Sequence, residues 1–235
     1  MKVSRYLIGV AVACLLLGTA GSASAGFVFW TEWTEKTPGS PDTVVGSVDV
    51  SGFGTVDVTY TGDWTFAQVN DSGANYWIPD TYSDGTILDN SPLRNDIIAL
   101  STAGTTVHTI TFSAPVVNPA MAILSLGQSN SPVQYDFDAP FDIVIEGRGA
   151  YGDGSLAELP GDILEGQEGH GTIQFQGAFT SISWTVSTNE YWHGFTVGVL
   201  RVAEESGPTV PAPGALLLAS LGTGVVGYLR RRRSL

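Results

Sequence analysis

From Gly26 to Thr209 the apolar positions recur with a period of two and no stretch keeps a helical period, so the pattern predicts β-strands throughout. In Gly54 to Gly62, Val56, Val58 and Tyr60 fall on one side and Asp57, Thr59 and Thr61 on the other, the mark of a half-buried strand. The same alternation sets His108, Ile110 and Phe112 against Val107, Thr109 and Thr111, and Phe141, Ile143 and Ile145 against Asp142, Val144 and Glu146. It returns with Ile173 and Phe175, with Ile182, Trp184 and Val186, and with Phe195, Val197 and Val199. Met121 to Leu126 is apolar enough to be a more deeply buried strand. Asn70 to Asn95 is polar and irregular, with turn chemistry at Ser83-Asp84-Gly85, and predicts a long loop or a pair of edge segments. Many short strands with Gly and Pro between them predict an all-β, single-domain β-sandwich or jelly roll over residues 26–206.

Both ends depart from this pattern. Met1 to Arg5 carries two positive charges, Tyr6 to Leu17 is almost wholly apolar, and the small residues that follow close with Ala23-Ser24-Ala25. This is the three-part pattern of a signal peptide over residues 1–25, with Ala23 and Ala25 in the peptidase pocket. At the other end, Val210-Pro211-Ala212-Pro213 is extended because each proline drives its predecessor out of the helical region. Gly214 and the uncharged run Ala215 to Leu229 predict a membrane helix over residues 214–229, stopped by Arg230, Arg231, Arg232 and Arg233. At about 1.5 Å per residue the run spans about 22 Å, short of the hydrocarbon core of about 30 Å. It predicts a marginal anchor, with the arginines in the cytoplasm and the body on the far side of the membrane.

The order of proline motif, apolar helix and terminal arginine cluster, over residues 207–235, resembles the PEP-CTERM sorting tail recognised by exosortases. Val210, Pro211 and Pro213 match that motif, whereas Ala212 stands where the family has glutamate. The resemblance implies export, transient anchoring in the inner membrane, cleavage by an exosortase-like membrane protease near Pro211 to Pro213, and release to the cell surface or extracellular matrix. The stretches Gly169 to Gly177 and Trp192 to Val197 also resemble the body of some PEP-CTERM proteins, which implies no activity.

Charge narrows the partners. The chain carries a formal −13, but six of its ten bases lie in the terminal segments, so residues 26–206 carry −19. A body this acidic repels phosphate backbones and excludes nucleic acid as a partner. The single cysteine, Cys14, lies in the signal segment, so the mature protein is expected to have neither disulfide nor thiolate site.

No nucleophile elbow, Walker loop or zincin motif accompanies the three histidines, so no catalytic residues and no enzyme activity are predicted. His108 lies on the apolar side of its strand, whereas His193, in Tyr191-Trp192-His193-Gly194, is expected in an exposed turn. Candidate oxygen ligands for calcium are Asp136, Asp138 and Glu168, with Asp142, Asp153, Glu165 and His170 nearby in sequence; three glycines make Glu165 to Gly171 read as a flexible acidic loop. Trp77 and Trp192 are candidates for stacking on sugar rings. These features predict a structural or adhesive surface protein associated with exopolysaccharide. A lectin-like carbohydrate-binding module is the alternative, followed by a secreted hydrolase built on paired carboxylates.

Overall fold

The computed structural model describes residues 26–101 and 104–202; the signal segment and the sorting tail, with its expected helix over 214–229, lie outside them. Strands β1 to β8 are Phe29–Trp30, Glu32–Thr37, Asp42–Val50, Gly54–Gly62, Phe66–Gln68, Ile97–Leu100, His108–Val117 and Ala120–Leu126. Strands β9 to β16 are Val133–Phe137, Phe141–Glu146, Ser155–Leu159, Ile163–Gln167, Gly169–Phe175, Ala178–Val186, His193–Val199 and Arg201–Val202. They form two antiparallel sheets. One has seven strands in the order β10-β13-β8-β15-β6-β5, with β1 also on β15; the other has nine in the order β11-β12-β9-β14-β7-β4-β3-β2, with β16 also on β7. The fold is an all-β sandwich, and the compact unit that holds it ends at Val202.

The alternating residues supply the core between the sheets. Val58 and Tyr60 of β4, Ile110 and Phe112 of β7, and Ile182 and Trp184 of β14 share one apolar cluster with Met121 and Ile123 of β8, Ile173 and Phe175 of β13, and Phe195 and Val197 of β15. This interdigitation of two inner faces is what holds a sandwich together. His108 is buried with them, its Nδ1 2.8 Å from Tyr60 Oη.

The seven-stranded sheet is also covered on its outer face. Ala122 and Leu124, which alternate with Met121 and Ile123, pack against Ile97 and against Trp77 and Tyr82 from the long segment between β5 and β6. A third cluster, Val28, Leu88 and Ala120, continues that cover. The stretch Asn70 to Asn95 is therefore one strandless excursion laid over the sheet. This cover explains why β15 is buried at every position, where the sequence pattern predicts a half-buried strand.

Two other expectations are corrected. Ile143 and Ile145 do not keep one alternation, because the pairing of β10 with β13 shifts register between them. Glu165 to Gly171 is not a flexible loop but the close succession of β12 and β13. Its glycines serve close approach: a Cβ on Gly166 would lie 2.4 Å from the Leu126 carbonyl oxygen, and one on Gly171 2.1 Å from that of Ile145. Strands β3, β9, β11 and β12 are not singled out by the sequence pattern. In β3 the alternation is interrupted by Gly46, where a Cβ would meet the Glu32 carbonyl oxygen at 2.4 Å.

Candidate functional site

Three neighbouring strands of the seven-stranded sheet build the site. Because β8 runs antiparallel to both β13 and β15, with Leu126 opposite Gly169 and Leu124 opposite Gly194, the end of β8 meets the starts of the other two. That end gathers Ser125 of β8, Glu168 just before β13, and Glu190, Tyr191 and Trp192 just before β15 around an open groove of about 410 Å³. Tyr151, from the β10–β11 connection, forms another wall. A second hollow of about 420 Å³, bounded by Asp153, Ser155 and Gln167, adjoins the groove through the shared residues Tyr151 and Glu168.

The floor is held by a specific set of hydrogen bonds. Ser125 Oγ donates to Glu168 Oε2 at 2.9 Å, and the Ser125 amide donates to His170 Nδ1 at 3.2 Å. The Gly127 amide donates to Glu190 Oε1 at 3.0 Å, and the same oxygen accepts the Nδ1 proton of His193. Ser125 and Glu168 both occupy the left-handed region, at φ of 54° and 55°, which ordinary side chains adopt only where the surroundings over-determine the backbone. Here the two strained residues are tied to each other.

These contacts fix protonation. His170 Nδ1 accepts a proton donor, so the neutral ring carries its hydrogen on Nε2. Burial pushes its pKa down to about 4. At His193 the hydrogen sits on Nδ1, because a carboxylate can only accept and Nδ1 must therefore donate to Glu190. His193 is thus corrected from an exposed turn to a fully buried residue at the start of β15, its Nδ1 paired with Glu190 and its Nε2 buried without a hydrogen-bond partner.

Aromatic rings make the rim. Trp192 is half-buried and pinned edge-on by Phe66, Tyr76 and Tyr151, at centroid distances of 5.0, 5.2 and 5.4 Å. Tyr151 is 50% exposed and Tyr191 85% exposed. Trp77 belongs elsewhere: it is only 2% exposed, donates its indole N–H to the Asp96 carbonyl at 3.3 Å and packs edge-on against Tyr82, so no face is open for a sugar.

The candidate calcium ligands are not brought together. Asp136 is an exposed residue of β9, Asp138 Oδ1 accepts the Ser183 amide at 2.9 Å, and Glu168 holds Ser125. Among the described residues no group of three or more His, Cys, Asp or Glu side chains is placed to hold a metal. Ala23, Ala25, Val210, Pro211, Ala212, Pro213 and Arg230 to Arg233 lie outside the described residues.

Of the groove residues, Trp192 and Glu168 are legible in the sequence, whereas Ser125, Tyr151 and Glu190 emerge only from the fold. The one signal for Ser125 is a hydroxyl inside an otherwise apolar strand, where a buried polar side chain needs a partner. Compared with known protein families, curated proteins and solved structures, the chain matches none.

Proposed function

We propose that this chain is an exported cell-surface or extracellular-matrix protein with a structural or adhesive role beside exopolysaccharide. Signal peptidase acts after Ala25, and an exosortase-like membrane protease acts on the tail while the helix over 214–229 holds the chain in the inner membrane. The reading assigns the body no catalysis of its own; the chemistry is done to the protein at its two ends. One observation carries it: a proline motif, an uncharged apolar run and four arginines, in that order, follow a body of −19 that begins behind a signal-peptide pattern.

Intact mass of the protein recovered from the cell surface tests the reading. The expected species begins at Gly26 and ends near Pro211 to Pro213. A recovered species that still contains Arg230 to Arg233 would make the tail a plain anchor and remove the sorting step.

The lectin-like reading is favoured by a separate observation, the groove in which Trp192 and two exposed tyrosines stand beside the carboxylate of Glu168. It is compatible with the first, since an adhesive protein needs a contact surface. Amphipathic rings beside hydrogen-bond acceptors match the two faces of a sugar, one of C–H groups and one of hydroxyls.

A further inference from the structure

We propose that the groove between Ser125, Tyr151, Glu168 and Trp192 binds a neutral, hydroxyl-rich glycan and discriminates against carboxylated, sulfated or phosphorylated ones. This rests on the reading of the protein as polysaccharide-associated and names the ligand class and the site.

The first support is the rim. Tyr191 projects with 85% of its surface exposed and covers no core, so closing the end of the sandwich does not account for it. Trp192, by contrast, is clamped by three rings, and a clamped ring offers its area with little further loss of conformational freedom on binding. Tyr151 stands edge-on to Trp192 and is shared with the adjoining hollow, so a chain of sugars lying across it reaches both spaces.

The second support is the sign of the polar groups. Glu168 and Glu190 line the groove and Asp153 and Glu168 the hollow, while no Lys or Arg lines either one. Carboxylates accept from hydroxyl donors and repel anionic ligands, and in a body of −19 no cationic neighbour along the groove offsets that repulsion. The third support is rigidity. Glu168 is fixed by Ser125 Oγ, so this acceptor is placed before any ligand arrives, while the buried Glu190, held by His193 and the Gly127 amide, stiffens the floor beneath it.

Native affinity electrophoresis of the full chain tests this, in gels containing galactomannan, hydroxyethylcellulose or alginate, with EDTA throughout. The expected result is retardation by at least one neutral polymer and none by alginate. Tyr151→Ala and Trp192→Ala should each weaken binding at least about tenfold, which corresponds to about 1.4 kcal/mol. Because Trp192 also packs against Phe66 and Tyr76, Tyr191→Ala is the variant that leaves the fold untouched, and it should weaken retardation with an unchanged melting temperature.

Retardation that survives all three substitutions would overturn the groove while leaving polysaccharide association in place. Equal retardation by alginate and the neutral polymers would overturn the charge selection. Absence of retardation in every gel would overturn both the groove and the association on which it rests.

Discussion

In the nine-stranded sheet, the face turned away from the core carries Thr59, Thr111 and Ser181 in one cross-strand row and Thr61, Thr109 and Ser183 in the next. In the seven-stranded sheet the corresponding face carries Ala122 and Leu124, roofed by Trp77 and Tyr82. Hydroxyl-bearing β-branched residues suit a pleated surface left to water, whereas an apolar face must be covered by something. The cover here is the 27-residue stretch from Val69 to Asn95, and its consequence reaches the groove, because Phe66 and Tyr76 on either side of its start are the rings that clamp Trp192. A strandless segment thus positions a candidate binding residue.

The largest effect expected from this contrast comes from Trp77→Ala. Removing a fully packed indole from under the cover should destabilise the protein by about 3–5 kcal/mol, measured as a shift in the urea midpoint. A loss below about 1 kcal/mol would mean that the segment lies loosely on the sheet and forms no second core. Next comes Glu190→Ala, which strands the buried Nδ1–H of His193 and the Gly127 amide together. Its expected cost is about 2–4 kcal/mol, while Glu190→Gln, which keeps an acceptor, should lose less than half of that.

How much of this was legible follows the same contrast. The strands of the nine-stranded sheet that alternate cleanly, β4, β7 and β14, are read directly from the sequence because one face meets oil and the other water. In β15 the same reading recovers the inward residues Phe195, Val197 and Val199 but misses the burial of Thr196 and Gly198, since their cover is distant in sequence. His193 fails for a related reason. A histidine beside two aromatics and a glycine looks like turn chemistry until Glu190 is placed against its ring. The left-handed backbone of Ser125 and of Glu168 is opaque even though Glu168 itself is picked out by its sequence, because neither residue type announces a positive φ.

Acid titration probes both sheets with one residue from each. His108 of β7 and His170 of β13 have their pKa values pushed down to about 4 by burial, His108 further opposed by the nearby His193, against an ordinary value of 6.5. Between those limits the unfolded chain binds more protons than the folded one, so stability falls as the pH drops from about 6.5 to about 4 and this loss is complete below it. Each histidine contributes at most about 1.4 kcal/mol per pH unit across that window. Urea midpoints followed against pH should flatten partly in His108→Gln and partly in His170→Gln. An unaltered slope in His170→Gln would place that ring in contact with water and weaken the idea of a sheet closed on both faces.

The smallest effect is the most discriminating for the open face. Thr111 is exposed, sits opposite Thr59 on one side and Ser181 on the other, and its side chain has no apolar roof. Thr111→Val keeps the branched shape that a strand prefers and removes a hydroxyl that water already satisfies, so the stability should stay within about 0.5 kcal/mol of the parent. Thr111→Lys should be tolerated to a similar degree, because a long charged side chain on this face extends into solvent. On the other sheet Leu124→Lys has no such exit: the ammonium would be forced under Trp77 and Tyr82, and the protein should fail to reach the parent's melting temperature by a wide margin. Thermal melts of the two lysine variants side by side therefore read the asymmetry directly. If Thr111→Lys proved as damaging as Leu124→Lys, the nine-stranded sheet would also need a cover, and a partner on its hydroxyl face would have to supply it.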